Sequence, residues 1–565
     1  MATSVQKPPL NGDQKAWNLF VFRKKRDLLP ISQLVYELHR ELEAVAGGGG
    51  SVMDALVRAG EIETGLADSG CPDQPCFSRI TDLVAANAIG GEADLKDALL
   101  IVQGARLSGE IACSHPEGFS YYGLHPLDYA DAARGMASEL RQHVAVIGIR
   151  SVGSALSAVV AAALKHCGFK ADRITVRPEG EPYRRRARFT DSQAERIRRK
   201  LERSADFVVV DEGPGFSGST LESVIHALED AGVPRSNIRI ICSRPVNHLR
   251  DCEMANFLQQ YRPVAVGYGR RIPAECNRNL GSGLWREMLY SAASEWPANW
   301  THLERIKHLS VDGSSLLKFE GFGRFGALIR SQAHALSEAG FSPRLLGFEN
   351  GFARYKWIQG RPLHRRDISV EILHRMARYC AFRGRYCAVP SGETKSLRKM
   401  MQGNLEIEFG HAIRVPELAV CRPIYADCRM MPYEWVQTPC GDILKTDSVG
   451  HSEGHQLPGP VDIAWDLAGV IVEWELTKAE REFFLAAYGR ESGDNTSSRI
   501  RAYVVAYLIH RAAYCRMGAA SMQDSRDGEP LLQEYRRRSE NLQHLLNTQP
   551  QTTEYHIDTI NVNPR

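Results

Sequence analysis

The chain has 565 residues, 43% of them apolar and 24% charged, with a net charge of +3. That is the make-up of a globular protein too long for one ordinary domain, and three or four are expected. The small net charge argues against nucleic acid as the main partner, no apolar run is long enough for a membrane span, and residues 1–13 lack a signal-peptide core.

Residues 1–105 are predicted to be helices and loops. Residues 31–45 are amphipathic and run into four glycines, Gly47 to Gly50, while residues 51–59 and 95–103 are shorter helical candidates. Cys71 and Cys76 are the closest of 13 scattered cysteines, and with no C-x-x-C and no second Cys/His pair beside them, reduced thiols in a cytoplasm are expected. An aromatic turn follows at residues 120–126. Its default reading is core, and its alternative is a hood over a binding site.

From about 106 to 290 apolar runs alternate with helical stretches, the pattern of an α/β domain with a parallel sheet. Residues 144–149 are a strand, followed by the turn Arg150, Ser151, Val152, Gly153, Ser154 and an alanine-rich helix stopped by Gly168. Between Arg173 and Arg203 stand eleven Lys/Arg against five Asp/Glu. Within that stretch Tyr183, Arg184 and Arg185, with Arg186, read either as a mobile basic loop that closes over an anion or as a solvated surface loop. Residues 190–203 read as a solvated helix.

The most informative stretch comes next. Residues 207–210 are a doubly buried strand, Asp211 and Glu212 follow, and a glycine loop leads through Ser217, Gly218, Ser219 and Thr220 into a helix that Gly232 ends. Ser219 and Glu222 are spaced as a capping box. Ligands of open α/β sheets bind beyond the carboxyl ends of the strands, and a glycine loop entering a helix aims N–H groups at an anion. Two carboxylates ahead of such a loop suit vicinal hydroxyls, so the implied ligand is a sugar phosphate. Residues 238–242 are the next strand.

This motif resembles the phosphoribosyl diphosphate (PRPP) site of type I phosphoribosyltransferases. The resemblance implies that Asp211 and Glu212 hold the ribose hydroxyls and that Ser217, Gly218, Ser219 and Thr220 cradle the 5-phosphate. It further implies that Arg150, Ser151, Val152, Gly153 and Ser154 face the diphosphate, and that Tyr183, Arg184 and Arg185 form the family's flexible loop. The loop through Gly213, Pro214, Gly215 and Phe216 is about one residue longer than the family pattern.

In the C-terminal half, Lys318 lies in a predicted strand within residues 311–319. A helix over 325–339 and a strand over 351–358 follow, and from Asp367 the chain is mainly helical. Asp427, Asp447 and Asp466 come later. This order is similar to aminoglycoside phosphotransferase-like small-molecule kinases. The resemblance implies Lys318 as the phosphate-contacting lysine, Asp427 as the catalytic aspartate, Asp447 as the metal ligand and Asp466 as a structural aspartate. Gly321, Gly323 and Gly326 follow Lys318 where the family's glycines precede it, so an active kinase and an inactive kinase-like scaffold both stay open. His451 and His455 read as surface histidines, with metal binding beside Asp447 as the alternative.

The expected architecture is α/β. A helical N-terminal or hood segment (1–105) precedes a parallel-sheet phosphoribosyltransferase-like domain (106–290). A kinase-like α+β domain with small lobe (291–365) and helical lobe (366–547) follows, then a flexible tail (548–565). Trp296, Pro297 and Trp300 mark the expected junction. The expected function is a cytoplasmic phosphoribosyltransferase that moves ribose 5-phosphate from PRPP, with Mg2+, to a nitrogenous acceptor. The alternatives are a non-catalytic nucleotide or PRPP sensor, and a small-molecule kinase whose first half supplies or recognises the substrate, with ATP as cofactor. The expected partners are small molecules, with no membrane and no nucleic acid, and a homodimer is allowed for.

Overall fold

A computed structural model describes residues 15–19, 26–91, 94–180, 184–215, 217–249, 252–267, 272–392, 394–410, 413–452 and 459–547. The chain divides into two compact units. One holds Lys25–Ile272 together with Gly321–Gly326, and the other holds Pro273–Glu320 and the chain from Ala327 onward. Among the described residues no helix is long and apolar enough to cross a membrane.

The first unit is built on a five-stranded sheet, parallel throughout. Its order is Lys170–Val176, His143–Ile149, Asp206–Val210, Ile238–Cys242 and Pro263–Ala265. All five residues of Asp206–Val210 and of Ile238–Cys242 are buried, as their unbroken apolar runs require when both faces are covered. On one face Ala145, Ile147 and Ile149 share a core with Leu221, Val224 and Leu228 of the helix Ser219–Asp230. The other face carries the alanine-rich helix Val152–His166, on which Pro126–Met136 packs. Gly168, at φ 88°, closes that helix, and Gly232, also at φ 88°, closes Ser219–Asp230.

The N-terminal helices are Ile31–Ala46, Val52–Asp68, Gln74–Ala88 and Leu95–Gly104. Val52–Asp68 outruns the expected 51–59 because its two glycines serve close packing. A Cβ at Gly60 would lie 3.0 Å from Ala155, and one at Gly65 2.6 Å from Ile111. The expected capping box at Ser219 is absent, since Gly218 is the N-cap and no side chain caps the helix.

The second unit begins at Pro273 because Arg278–Asn279 is the edge strand of its main sheet. That antiparallel sheet runs Leu345–Glu349, Phe352–Lys356, Ser315–Phe319, Lys307–Leu309 and Arg278–Asn279, with the helix Ala327–Glu338 in the connection. Helices follow, chiefly Val370–Tyr386, Lys395–Phe409, Ala464–Glu473, Lys478–Ser492, Ile500–Ser521 and Gly528–Asn547. Short strands interrupt them, with Arg361–Pro362, Trp435–Gln437 and Ile443–Lys445 forming one small sheet. Trp300 is no linker residue, because it is buried in a cluster with Tyr514, Ala519 and Leu531. The tail 548–565 lies outside the described residues.

Candidate functional sites

In the first unit the strand order reverses between His143–Ile149 and Asp206–Val210, the switch point beyond which α/β sheets hold ligands. The two loops singled out from the sequence leave these two strands side by side. Arg150 donates its backbone N–H to Val176 O at 2.8 Å, and its guanidinium is taken up by Asp68 at 3.1 Å and by Thr175. Arg177 grips the same Asp68 at 2.7 Å and donates to Arg150 O at 2.8 Å. Arg150, Arg177 and Arg26 thus share the one carboxylate of Asp68, which orients Arg150 within the fold and leaves the group with an excess of positive charge. Ser151 sits at φ 118°, ψ −115°, a conformation that costs a non-glycine residue about 1–3 kcal/mol. Val152, Gly153 and Ser154 are the first turn of the helix. Ser154 is turned inward, 2.7 Å from the hydroxyl of Thr64. A Cβ at Gly153 would lie 3.1 Å from Val210 O, so the glycine lets the two loops approach.

Asp211 and Glu212 follow the central strand. Tyr129 donates its hydroxyl to Asp211 O at 2.9 Å. Burial pushes the Asp211 carboxyl up to about 6, against the pull of the backbone N–H groups of Gly213 and Glu212. Burial, with Glu117 and Asp211 as like charges, pushes Glu212 up to about 8. At neutral pH Glu212 is therefore largely a carboxylic acid, able to donate a hydrogen bond to a hydroxyl as well as accept one. The aromatic turn lies against it, since a Cβ at Gly118 would be 3.0 Å from Glu212 Cδ. Tyr121 and Leu124 of that turn are core, and Arg244 stacks over Tyr122 at 5.2 Å.

In the proposed cradle Ser217 Oγ donates to Ser219 Oγ at 3.0 Å, Gly218 takes φ 67°, and Ser219 and Thr220 open the helix. A Cβ at Gly218 would lie 2.8 Å from Met254, so this glycine answers to packing as well as to its backbone angle. Tyr183 lies outside the described residues. Arg184 is exposed and Arg185 half-buried, and Glu179 and Arg186 each donate N–H to the other's carbonyl at 2.9 Å. Gly321, Gly323 and Gly326 belong to this unit. Arg324 donates its backbone N–H to Asp54 at 3.1 Å and pairs with Glu61, so this loop is occupied by packing.

The second unit contains a cleft. Much of its wall is apolar and aromatic, with Trp285, Leu316, Tyr355, Trp357, Tyr433 and Val449. One end is charged. Lys318 and Lys307 are cross-strand partners, so their side chains leave the same face of the sheet. The Lys318 ammonium lies 2.5 Å from Asp447 and 2.7 Å from Glu320, and the Lys307 ammonium 3.5 Å from Asp447. Arg429 stands 3.8 Å from Asp447 and 2.5 Å from Glu434. His451 Nε2 is 3.4 Å from Asp447 and its Nδ1 3.9 Å from Asp427. Burial pushes the Asp447 carboxyl up, but Lys307, Lys318 and His451 overcome it and hold the group well below the usual range. Burial pushes His451 down to about 3 against Asp447, leaving a neutral ring. His451 is thus buried, where the sequence predicts a surface residue, and His455 lies outside the described residues.

Asp427, expected to be catalytic, does not line this cleft. It is fully buried, accepts the Tyr379 hydroxyl at 2.5 Å and lies 3.5 Å from Lys445. Asp466 has the structural part expected of it, receiving the backbone N–H groups of Asp427 and Cys428 at 2.9 Å each. Sequence reasoning missed Lys307, Glu320 and Arg429. Lys307 stands between Ile306 and His308 with no local signal to set it apart, and only strand pairing puts it beside Lys318.

The kinase resemblance implies magnesium at Asp447, and the residues present do not fit it. Glu304, Glu320, Glu434 and Asp447 on the cleft wall each face a Lys or Arg within 3.8 Å. Among the described residues no group of three or more His, Cys, Asp or Glu is placed to hold a metal ion.

Neither a protein-family model nor a curated protein sequence matches the chain. Among solved structures it is similar to a choline kinase from Streptococcus pneumoniae, with 14% identity, 42% of this chain and 89% of that chain covered, and a TM-score of 0.30. An ethanolamine kinase from Plasmodium vivax is similar at 10% identity, with 43% and 80% covered and a TM-score of 0.31. A spectinomycin phosphotransferase solved with ADP and spectinomycin is similar at 10% identity, with 42% and 84% covered and a TM-score of 0.29. The printed names of these three are those of kinases and a phosphotransferase.

Proposed function

We propose that the second unit binds a nucleotide in its cleft and serves as a small-molecule kinase, the reading first held as an alternative to PRPP transfer. The observation that carries it is the joining, in one cleft, of aromatic walls that suit a base with a lysine pair that suits phosphates. Lys318 is the phosphate contact, as the sequence predicts, and Lys307 is its partner. The test is a titration of the full chain with ATP and ADP, followed by incubation with ATP and a pool of alcohols and amino alcohols read by mass spectrometry. Nucleotide-dependent stabilisation and a phosphorylated product are expected, and absence of both rejects the reading.

A second reading concerns the first unit, where a specific observation favours it. Asp211 and Glu212 stand at the switch point of a parallel sheet, between the loops that enter two helices. We propose a sugar-phosphate site there, with PRPP as its candidate ligand, Glu212 and Asp211 on the hydroxyls and residues 217–220 on the 5-phosphate. The supporting features are the two helix N-termini, the close approach at Gly153 and the raised carboxyls. Calorimetry with PRPP and with ribose 5-phosphate tests it, and no heat from either rejects it. Both readings make small phosphorylated molecules the ligands of this protein.

A further inference from the structure

The charged end of the cleft is self-neutralised. Lys318 bridges Asp447 and Glu320, Lys307 lies between Asp447 and Glu304, Arg429 holds Glu434, and Arg305 lies 3.6 Å from Glu320. Lys445 sits 3.1 Å from Glu434 and 3.5 Å from Asp427. Five cations thus face five carboxylates. A divalent cation would find two ammonium groups and a guanidinium around the acid meant to bind it. An anion would find every cation engaged, and must take one from its carboxylate.

Asp447 is the partner placed to give way. Its side chain keeps 15% of its exposure, against 0% for Glu320 and 5% for Glu434 and Glu304. It sits in a bend at φ 49°, two residues past the strand Ile443–Lys445. Both lysines converge on it from one sheet face, where a phosphate group would have to sit to meet them together. His451 lies between the two aspartates, with Nε2 3.4 Å from Asp447 and Nδ1 3.9 Å from Asp427, the latter beyond hydrogen-bond distance.

We propose that the cleft takes its polyphosphate ligand without a divalent cation, and that Asp447 is a built-in counter-ion which the ligand displaces from Lys307 and Lys318. This rests on the nucleotide reading above. The two lysines supply the neutralisation that a metal would otherwise give, and the phosphate oxygens replace the carboxylate oxygens at the two ammonium groups. No bond is made or broken.

The two roles of Asp447 give opposite signs. A metal ligand changed to Asn loses affinity, whereas a competing counter-ion changed to Asn frees both lysines and gains it. The experiment is calorimetric titration of the full chain with ADP and with inorganic tripolyphosphate, in EDTA and in Mg2+. Affinities in EDTA and Mg2+ should agree within about twofold, and Asp447→Asn should bind about threefold to tenfold tighter in EDTA, the range expected for releasing a partly exposed ion pair. Should Asp447→Asn misfold, the electron paramagnetic resonance signal of Mn2+ with wild-type protein and ADP serves instead, and Mn2+ should stay as free as with ADP alone. Binding that needs Mg2+, an Asp447→Asn variant that binds equally or more weakly, or immobilised Mn2+ overturns the proposal while leaving the nucleotide reading in place. No binding of either probe in either buffer overturns the nucleotide reading and the proposal with it.

Discussion

The two units handle their buried acids in opposite ways. In the first, burial pushes both Asp211 and Glu212 up, and like charges add to it at Glu212, which reaches about 8. In the second, burial pushes the half-buried Asp447 carboxyl up as well, yet two lysines keep it ionised well below its usual range. The same side-chain chemistry therefore supplies a neutral donor in one unit and a fixed anion in the other. What separates them is the neighbouring strand, which in the second unit brings Lys307 beside Lys318.

The largest effect that tests this contrast is removal of Lys318. Lys318→Ala leaves Asp447 and Glu320 short of a buried cation, and unfolding followed by tryptophan fluorescence should show a loss of about 3–5 kcal/mol. A loss under 1 kcal/mol would mean that Lys307 and Arg305 suffice and that the acids are not held as described.

The first unit should respond to pH with a definite sign. Glu212 has a folded pKa raised above its unfolded value, so the native state binds the extra proton between about 4.5 and 8. Stability is full below that window and falls as pH rises through it. Glu212→Gln removes the titration. Its melting temperature should exceed wild type by about 2–4 °C or more at pH 8, what 1 kcal/mol gives in a unit of this size, and match it at pH 4.5. The reverse order would show that Glu212 is paired.

The phosphate assignment is better tested at Ser217 than at Gly218, where Met254 and the positive φ confound any side chain. Ser217→Ala should weaken PRPP binding about fivefold to tenfold, the worth of one hydrogen bond to a charged group, without moving the melting temperature. Equal affinity would place the phosphate elsewhere.

The smallest effect concerns the second unit's sheet. Asn350 at φ 50° and Gly351 at φ 82° join the strands Leu345–Glu349 and Phe352–Lys356, the backbone that asparagine-glycine hairpins adopt. Asn350→Ala should cost about 1 kcal/mol in the second unit's unfolding, with the first unit unchanged.

What the sequence determined by itself is local and periodic. The strands at 144–149, 207–210 and 238–242, the helix after each glycine turn and the stops at Gly168 and Gly232 were legible because doubly buried strands are unbroken apolar runs and helix ends need a positive φ. The acid pair and glycine loop were legible for the same reason, since strand, loop and helix are consecutive in the chain. The hairpin at Asn350 and Gly351 carried a plain signal that the predicted single strand at 351–358 passed over. Tertiary structure alone decided the rest. Arg150 is oriented by Asp68, 82 positions earlier in the chain and shared with Arg177, Asp427 is sealed under Tyr379, and Lys307 meets Asp447 across 140 residues. A side chain's charge is written in the sequence, but whether that charge faces a ligand or an internal partner depends on which distant segment folds against it.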